Sequence, residues 1–214
     1  MKKVIVLIAL CVSSMLTGQT NSNKNYFKLD FQCGLGFGFK NIDLFFDQNN
    51  DASTISGGGG WSLSIGGSYV LNNQFELGAN IGYQFSQLRP RLTNVSTSFD
   101  RITILPTFKY LIALNANRDH SINIGTGYGF YLNGTIKFDA ESIGLGEGDF
   151  KYENASGIHF LTEYEFRGGN RVGYVIGLKY YNVSYESKSQ TTERDVNDFN
   201  GTGIDLYVGA TIRL

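Results

Sequence analysis

Residues 27–40, FKLDFQCGLGFGFK, place Phe27, Leu29, Phe31, Cys33, Leu35, Phe37 and Phe39 on every odd position. Between them stand Lys28, Asp30, Gln32, Gly34, Gly36, Gly38 and Lys40. Alternation of this kind sends successive side chains to opposite faces of an extended strand, one apolar and the other charged or bare. Seven further stretches repeat it, around Trp61–Leu71, Phe75–Phe85, Ile102–Ile112, Ile122–Leu132, Ile158–Phe166, Val172–Tyr180 and Ile204–Leu214. Beyond the amino-terminal segment no stretch has helical spacing, so the chain is all-β.

Alternation alone does not say which face meets water, so the residues on the polar face decide it. That face carries Gly34, Gly36, Gly38, Gly66, Gly78, Gly82, Gly125, Gly127, Gly129, Gly157, Gly173, Gly177 and Gly209. Glycine weakens a solvent-facing strand, but it fits the crowded interior of a narrow barrel. The polar face therefore points inward and the apolar face outward. An apolar exterior belongs in lipid, where a sheet must close so that every backbone N–H and C=O is paired. Each stretch is about as long as the roughly 9 to 11 residues a tilted strand needs to cross the hydrocarbon. An arginine at Ile81 is accordingly expected to cost more than one at Gln84.

The opening residues, MKKVIVLIALCVSSMLTGQ, have two lysines, a short apolar run and then small and polar residues, the layout of a secretory signal peptide. Residues 1–19 are read as that signal, cut between about 14 and 19, and residues 20–214 as one domain. Losing Lys2 and Lys3 takes the net charge from −1 to −3, which speaks against a nucleic-acid partner. With Cys11 gone, Cys33 would have no disulfide partner.

Strands two and three, four and five, and six and seven are joined by short segments around NNQ, ALNANRD and RGGN. The other joins, residues 41–60, 87–100, 133–156 and 182–201, are long. Short turns in the periplasm and long loops outside are the arrangement of outer-membrane barrels. Pro106 lacks a ladder donor and predicts a bulge in strand four.

With these features the chain resembles the small eight-stranded outer-membrane β-barrel family, the OmpA/OmpX type of transmembrane domain, particularly the version common in Bacteroidota. The ending YVGATIRL resembles the carboxy-terminal assembly signal in Tyr207, Gly209, Ile212 and Leu214, although Leu214 stands where phenylalanine is usual. ILPTFKYLI (104–112) looks like the fourth strand of such barrels. The resemblance implies location in the bacterial outer membrane, contact with its lipid and lipopolysaccharide, and the barrel-assembly machinery as a partner during insertion. No peptidoglycan-binding domain is expected after Leu214.

Motifs for chemistry are weak. GLGFGF is a strand, because no helix follows it. DQNNDA spaces Asp47, Asn49 and Asp51 like a calcium loop, yet Ala52 and Gly58 replace the required glycine and glutamate. His159 faces inward near Glu163, which could orient it as a base. HSIN (120–123) departs in spacing from the motif of lipid A deacylases. The five Asn-x-Ser/Thr matches, such as Asn94 and Asn154, are chance occurrences in polar loops. No cofactor and no metal is expected.

The inward charges have a structural use. Lys28, Lys109, Arg171 and Arg213 share the periplasmic half with Asp30, Glu76, Glu163 and Glu165, and Glu165 should face Arg171 across the RGGN turn. The reading is a non-enzymatic barrel with a closed lumen, whose loops bind an extracellular ligand or support the envelope. Alternatives are a narrow or gated channel and a lipid A-modifying enzyme using His159.

Overall fold

The computed structural model describes residues 25–46, 52–88, 95–116, 118–141, 144, 146–167, 171–188 and 198–214. The signal segment 1–19, Asp47, Asn49, Asp51 and Asn94 lie outside them. Eight antiparallel strands form the wall: β1 (Tyr26–Gly38), β4 (Gly60–Leu71), β5 (Phe75–Leu88), β6 (Ser96–Ala113), β7 (His120–Ala140), β9 (Ala155–Phe166), β10 (Val172–Tyr181) and β13 (Gly203–Arg213). Each pairs with its sequence neighbour, β6 with β7 included, and β1 closes the circle on β13. This is the expected up-and-down barrel.

The orientation of the faces follows the alternation. Phe31, Leu35, Leu63, Ile65, Leu77, Ile81, Ile124, Ile176 and Val208 are exposed on the outside. Lys28, Asp30, Glu76, Gln84, Arg101, Lys109, His159, Glu163, Glu165 and Asp205 are buried inside. Aromatic pairs mark both rims of the apolar belt. Trp61 packs on Tyr83 and Phe85 toward the long loops, and Phe75 on Phe108 and Tyr110 toward the short turns. Such girdles sit where hydrocarbon meets water, so the chain spans a membrane.

The segments read as long loops are partly strand. β6 starts at Ser96 and β7 runs 21 residues to Ala140, well past the hydrocarbon at about 3.3 Å per residue. β8 (Gly146–Lys151) extends the β7 edge, while β2 (Ile42–Phe46) pairs with β3 (Ala52–Ile55) and β11 (Ser184–Tyr185) with β12 (Phe199–Asn200). One bulge explains why alternation did not show the extension. The register passes from Ile102↔Leu132 to Asp100↔Thr135, leaving an extra residue in β7 beside Asn133, whose φ is 56°. Below it Tyr131 points inward; above it the inward residues are Gly134, Ile136 and Ala140. A one-residue slip moves every later side chain to the other face.

The bulge expected at Pro106 does not form. Pro106 pairs in register with Ala79 of β5, and the β7 ladder skips it but keeps one register from Ile104↔Phe130 to Thr107↔Gly127. Beside Pro106 β7 runs close, and a Cβ on Gly127 would lie 2.0 Å from the Pro106 carbonyl oxygen and 2.6 Å from His159. Gly127→Ala should cost about 1–3 kcal/mol through overpacking, read as a lower urea midpoint with the slope unchanged.

Candidate functional site

The lumen is filled at two levels. At the short-turn end, Lys28 Nζ lies 2.6 Å from Glu76, 3.6 Å from Glu165 and 3.7 Å from Asp30. Lys109 Nζ donates to Glu163 at 2.9 and 3.1 Å and sits 3.2 Å from Glu76 Oε1, an ion pair without hydrogen-bond alignment. Glu163 also accepts from the Tyr207 hydroxyl at 2.9 Å, and Glu165 from Asn123 and Thr211 at 3.2 Å each. The carboxylates are thus bridged by cations and neutral donors, the condition under which buried charge is tolerable.

Six of the eight charges expected in this plug meet there: Lys28, Asp30, Glu76, Lys109, Glu163 and Glu165. The pairing of Glu165 with Arg171 does not form. The hairpin register sets Glu165 opposite Val175, and the carboxylate instead accepts from Arg167 Nε at 2.9 Å. Arg171 is exposed at the mouth, and Arg213 lies over the Tyr26 ring at 3.7 Å. Of the assembly-signal residues, Tyr207 is a buried member of the plug, Ile212 faces outward, and Gly209 stands opposite Gln32 with Leu214 exposed at the end.

His159 is fully enclosed above this plug. Its Nε2 is 2.9 Å from Thr107 Oγ1, and its Nδ1 has no hydrogen-bond partner among the described residues. Glu163 belongs to Lys109 and Tyr207, so it does not orient the imidazole as expected. His120 of the HSIN string lies outside, its Nδ1 2.6 Å from the Tyr164 hydroxyl.

The upper level centres on Arg101, which sequence reasoning missed because it borders a segment read as loop. Its guanidinium, 1% exposed, lies 4.8 Å from the ring centroids of both Tyr131 and Tyr181. It donates from Nε and Nη2 to Gln84 Oε1 at 2.9 and 2.6 Å and from Nη1 to the Tyr185 hydroxyl at 2.9 Å. Gln84 and Tyr181 then donate to the carbonyls of Gly59 and Gly58, at 3.0 and 2.6 Å. Aromatic faces and neutral acceptors hold this cation, and they tie β6 to the first and fourth loops. Gln84→Arg would set a second cation on Arg101, so Gln84 is no permissive position. Tyr185→Phe should cost about 1–2 kcal/mol by leaving a charged donor unpaired, measured by urea unfolding in detergent.

Above Arg101 the loops form a packed cap. Ile55, Phe99, Ile136, Tyr152, Val183, Tyr185 and Phe199 share one buried cluster, with Phe199 set edge-on to Phe99 and Tyr152 at 5.3 and 4.5 Å. Backbone bonds fasten its sides: Glu153 N donates to Glu186 O, Lys188 N to Lys151 O and Phe39 N to Thr202 O. Among the described residues, the lumen holds one cavity of about 20 Å3 beside Arg101 and another of about 10 Å3 beside Arg167, each the size of a single water. A hollow of about 1070 Å3 among Phe31, Leu63, Ile65 and Ile81 lies on the outer, lipid-facing wall.

An eight-stranded closed barrel with an apolar belt and a salt-bridged interior is the outer-membrane β-barrel fold. Among solved structures, the outer membrane protein OprG from Pseudomonas aeruginosa is similar at 11% identity and TM-score 0.51, covering 89% of this chain and 95% of its own. Neisserial surface protein A (12% identity, TM-score 0.49) covers 91% of this chain and 100% of its own, and the outer membrane protein AlkL in lipid bilayers (12%, 0.48) covers 92% and 94%. The fold assignment rests on OprG and on the geometry above. No family model matches the chain, and no curated protein does.

Proposed function

We propose that the protein is a non-enzymatic outer-membrane barrel, of the kind its sequence resembles in Bacteroidota, with a closed lumen and a stapled outer wall that binds an extracellular ligand or supports the envelope. The observation that carries this reading is the double closure of the lumen, by the Lys28–Glu76–Lys109 plug below and by Arg101 with its aromatic cap above. The two lumen cavities among the described residues are of single-water size, too small for a hydrated solute, which favours this reading over an open channel. The enclosure of His159 against Thr107 argues against lipid A chemistry, because a lipid head group cannot reach a fully buried imidazole. Membrane lipid around the belt and the barrel-assembly machinery are the partners this reading carries.

The exposed surface is then the outer part of the wall. Lys137, Asp139, Glu147, Asp149 and Lys151 stand on the projecting β7–β8 edge, outside the aromatic cap. Purified protein in planar bilayers should give no discrete conductance steps, while replacing Glu147, Asp149 and Lys151 together by serine should leave assembly intact and abolish surface binding on whole cells. Regular ion conductance by the unmodified barrel would refute the closed-lumen reading.

A further inference from the structure

Three arginines gather at the short-turn mouth, from the end of β9, the start of β10 and the end of β13. Arg213 and Arg167 lie 3.7 and 5.5 Å from the centroid of the Tyr26 ring, and the Arg213 N–H donates to the Arg171 carbonyl at 2.7 Å. All three, with Tyr26 and Glu165, line one cavity of about 10 Å3. The only carboxylate among them is Glu165, which already serves Arg167 at 2.9 Å and Lys28 at 3.6 Å. Among the described residues, Arg171 and Arg213 make no ion pair, and the Arg167 guanidinium faces the Tyr26 hydroxyl without a well-aligned hydrogen bond, so Arg167 Nη2 and Tyr26 Oη are left poorly satisfied.

This is an incomplete arrangement on physical grounds. Clustered guanidinium groups repel one another, and buried donors without acceptors cost free energy. A planar fork of N–H donors is matched by the oxygens of a phosphate, which takes two parallel charge-assisted bonds. We propose that Arg167, Arg171 and Arg213 form an oxyanion site that takes a phosphate group at the short-turn mouth. One oxygen reaches Arg167 Nη2 and the Tyr26 hydroxyl, and the others lie on Arg171, which is exposed, and on Arg213. The mouth is level with the exposed aromatics Phe166 and Tyr174, at the depth where lipid head groups lie. The phosphate comes from such a head group or from free phosphate, and the chemistry is the same.

The test uses the barrel in nanodiscs and has two arms. In phosphatidylcholine discs, inorganic phosphate is titrated against chloride at constant ionic strength while thermal unfolding is followed. In discs of mixed phosphatidylglycerol and phosphatidylcholine, native mass spectrometry reads the lipid retained on the protein. Stabilisation by phosphate alone assigns a soluble oxyanion, and selective retention of phosphatidylglycerol assigns the head group. Either supports the site, provided Arg171→Gln weakens it about tenfold, the loss of one charge-assisted pair. Arg171 is exposed, so this variant keeps the fold, and Arg171→Gln with Arg213→Gln should remove the effect entirely. No preference for phosphate in either arm, or an unchanged preference in folded Arg171→Gln, overturns the proposal.

Discussion

Replacing Glu76 with alanine should lower the unfolding free energy by about 3–5 kcal/mol, the cost of removing the shared anion from a buried ion network and leaving its two cations with an incomplete set of partners. Glu76 is the shared carboxylate of the lower plug, 2.6 Å from Lys28 and 3.2 Å from Lys109. Its removal takes the nearest partner from Lys28, which keeps only Glu165 and Asp30 at 3.6 and 3.7 Å, and leaves Lys109 to Glu163 alone. Glu76→Gln keeps the shape and separates charge from packing, and Lys28→Met on the Glu76→Ala background should recover part of the loss. Urea titration in detergent, followed by the gel-mobility shift of folded barrels, reads all of these. A loss below about 1 kcal/mol would mean that the plug is hydrated and the pairs behave as surface pairs do.

Ile81→Arg should cost about 2–4 kcal/mol, because Ile81 stands on the outer face at mid-depth and an arginine there lies in hydrocarbon. Leu71 is exposed on the same face at the short-turn rim, where Leu71→Arg should cost only about 0–1 kcal/mol. Depth is the variable, since both substitutions put the same charge on the same wall. Equal costs at the two positions would mean that the outer face does not meet lipid.

The barrel was legible because its signal is local: Phe31, Leu63 and Ile81 alternate with lumen residues without interruption. The same parity placed Lys28, Asp30, Glu76, Lys109, Glu163 and Glu165 on one interior face, and they meet there. What failed lay where parity ends. Arg167 follows the last residue of β9, so alternation gave it no face, and Arg171 was paired in its place by assuming a tight turn. Asn133 shifts β7 by one residue, which hid the wall above it within an apparent loop. Tyr152, Tyr185 and Phe199 stand in segments without any periodicity, yet they pack together because the third and fourth loops converge above Arg101. Long-range convergence leaves no mark in the order of residues along one segment.

The most direct measurement of the inside-out arrangement uses Trp61, the only tryptophan of the chain, which lies exposed on the outer face at the aromatic girdle. In bilayers of phosphatidylcholine brominated on its acyl chains, its fluorescence should be strongly quenched, and aqueous iodide should have little effect. Quenching by iodide with no response to brominated lipid would place the bulky residues in water and contradict the account.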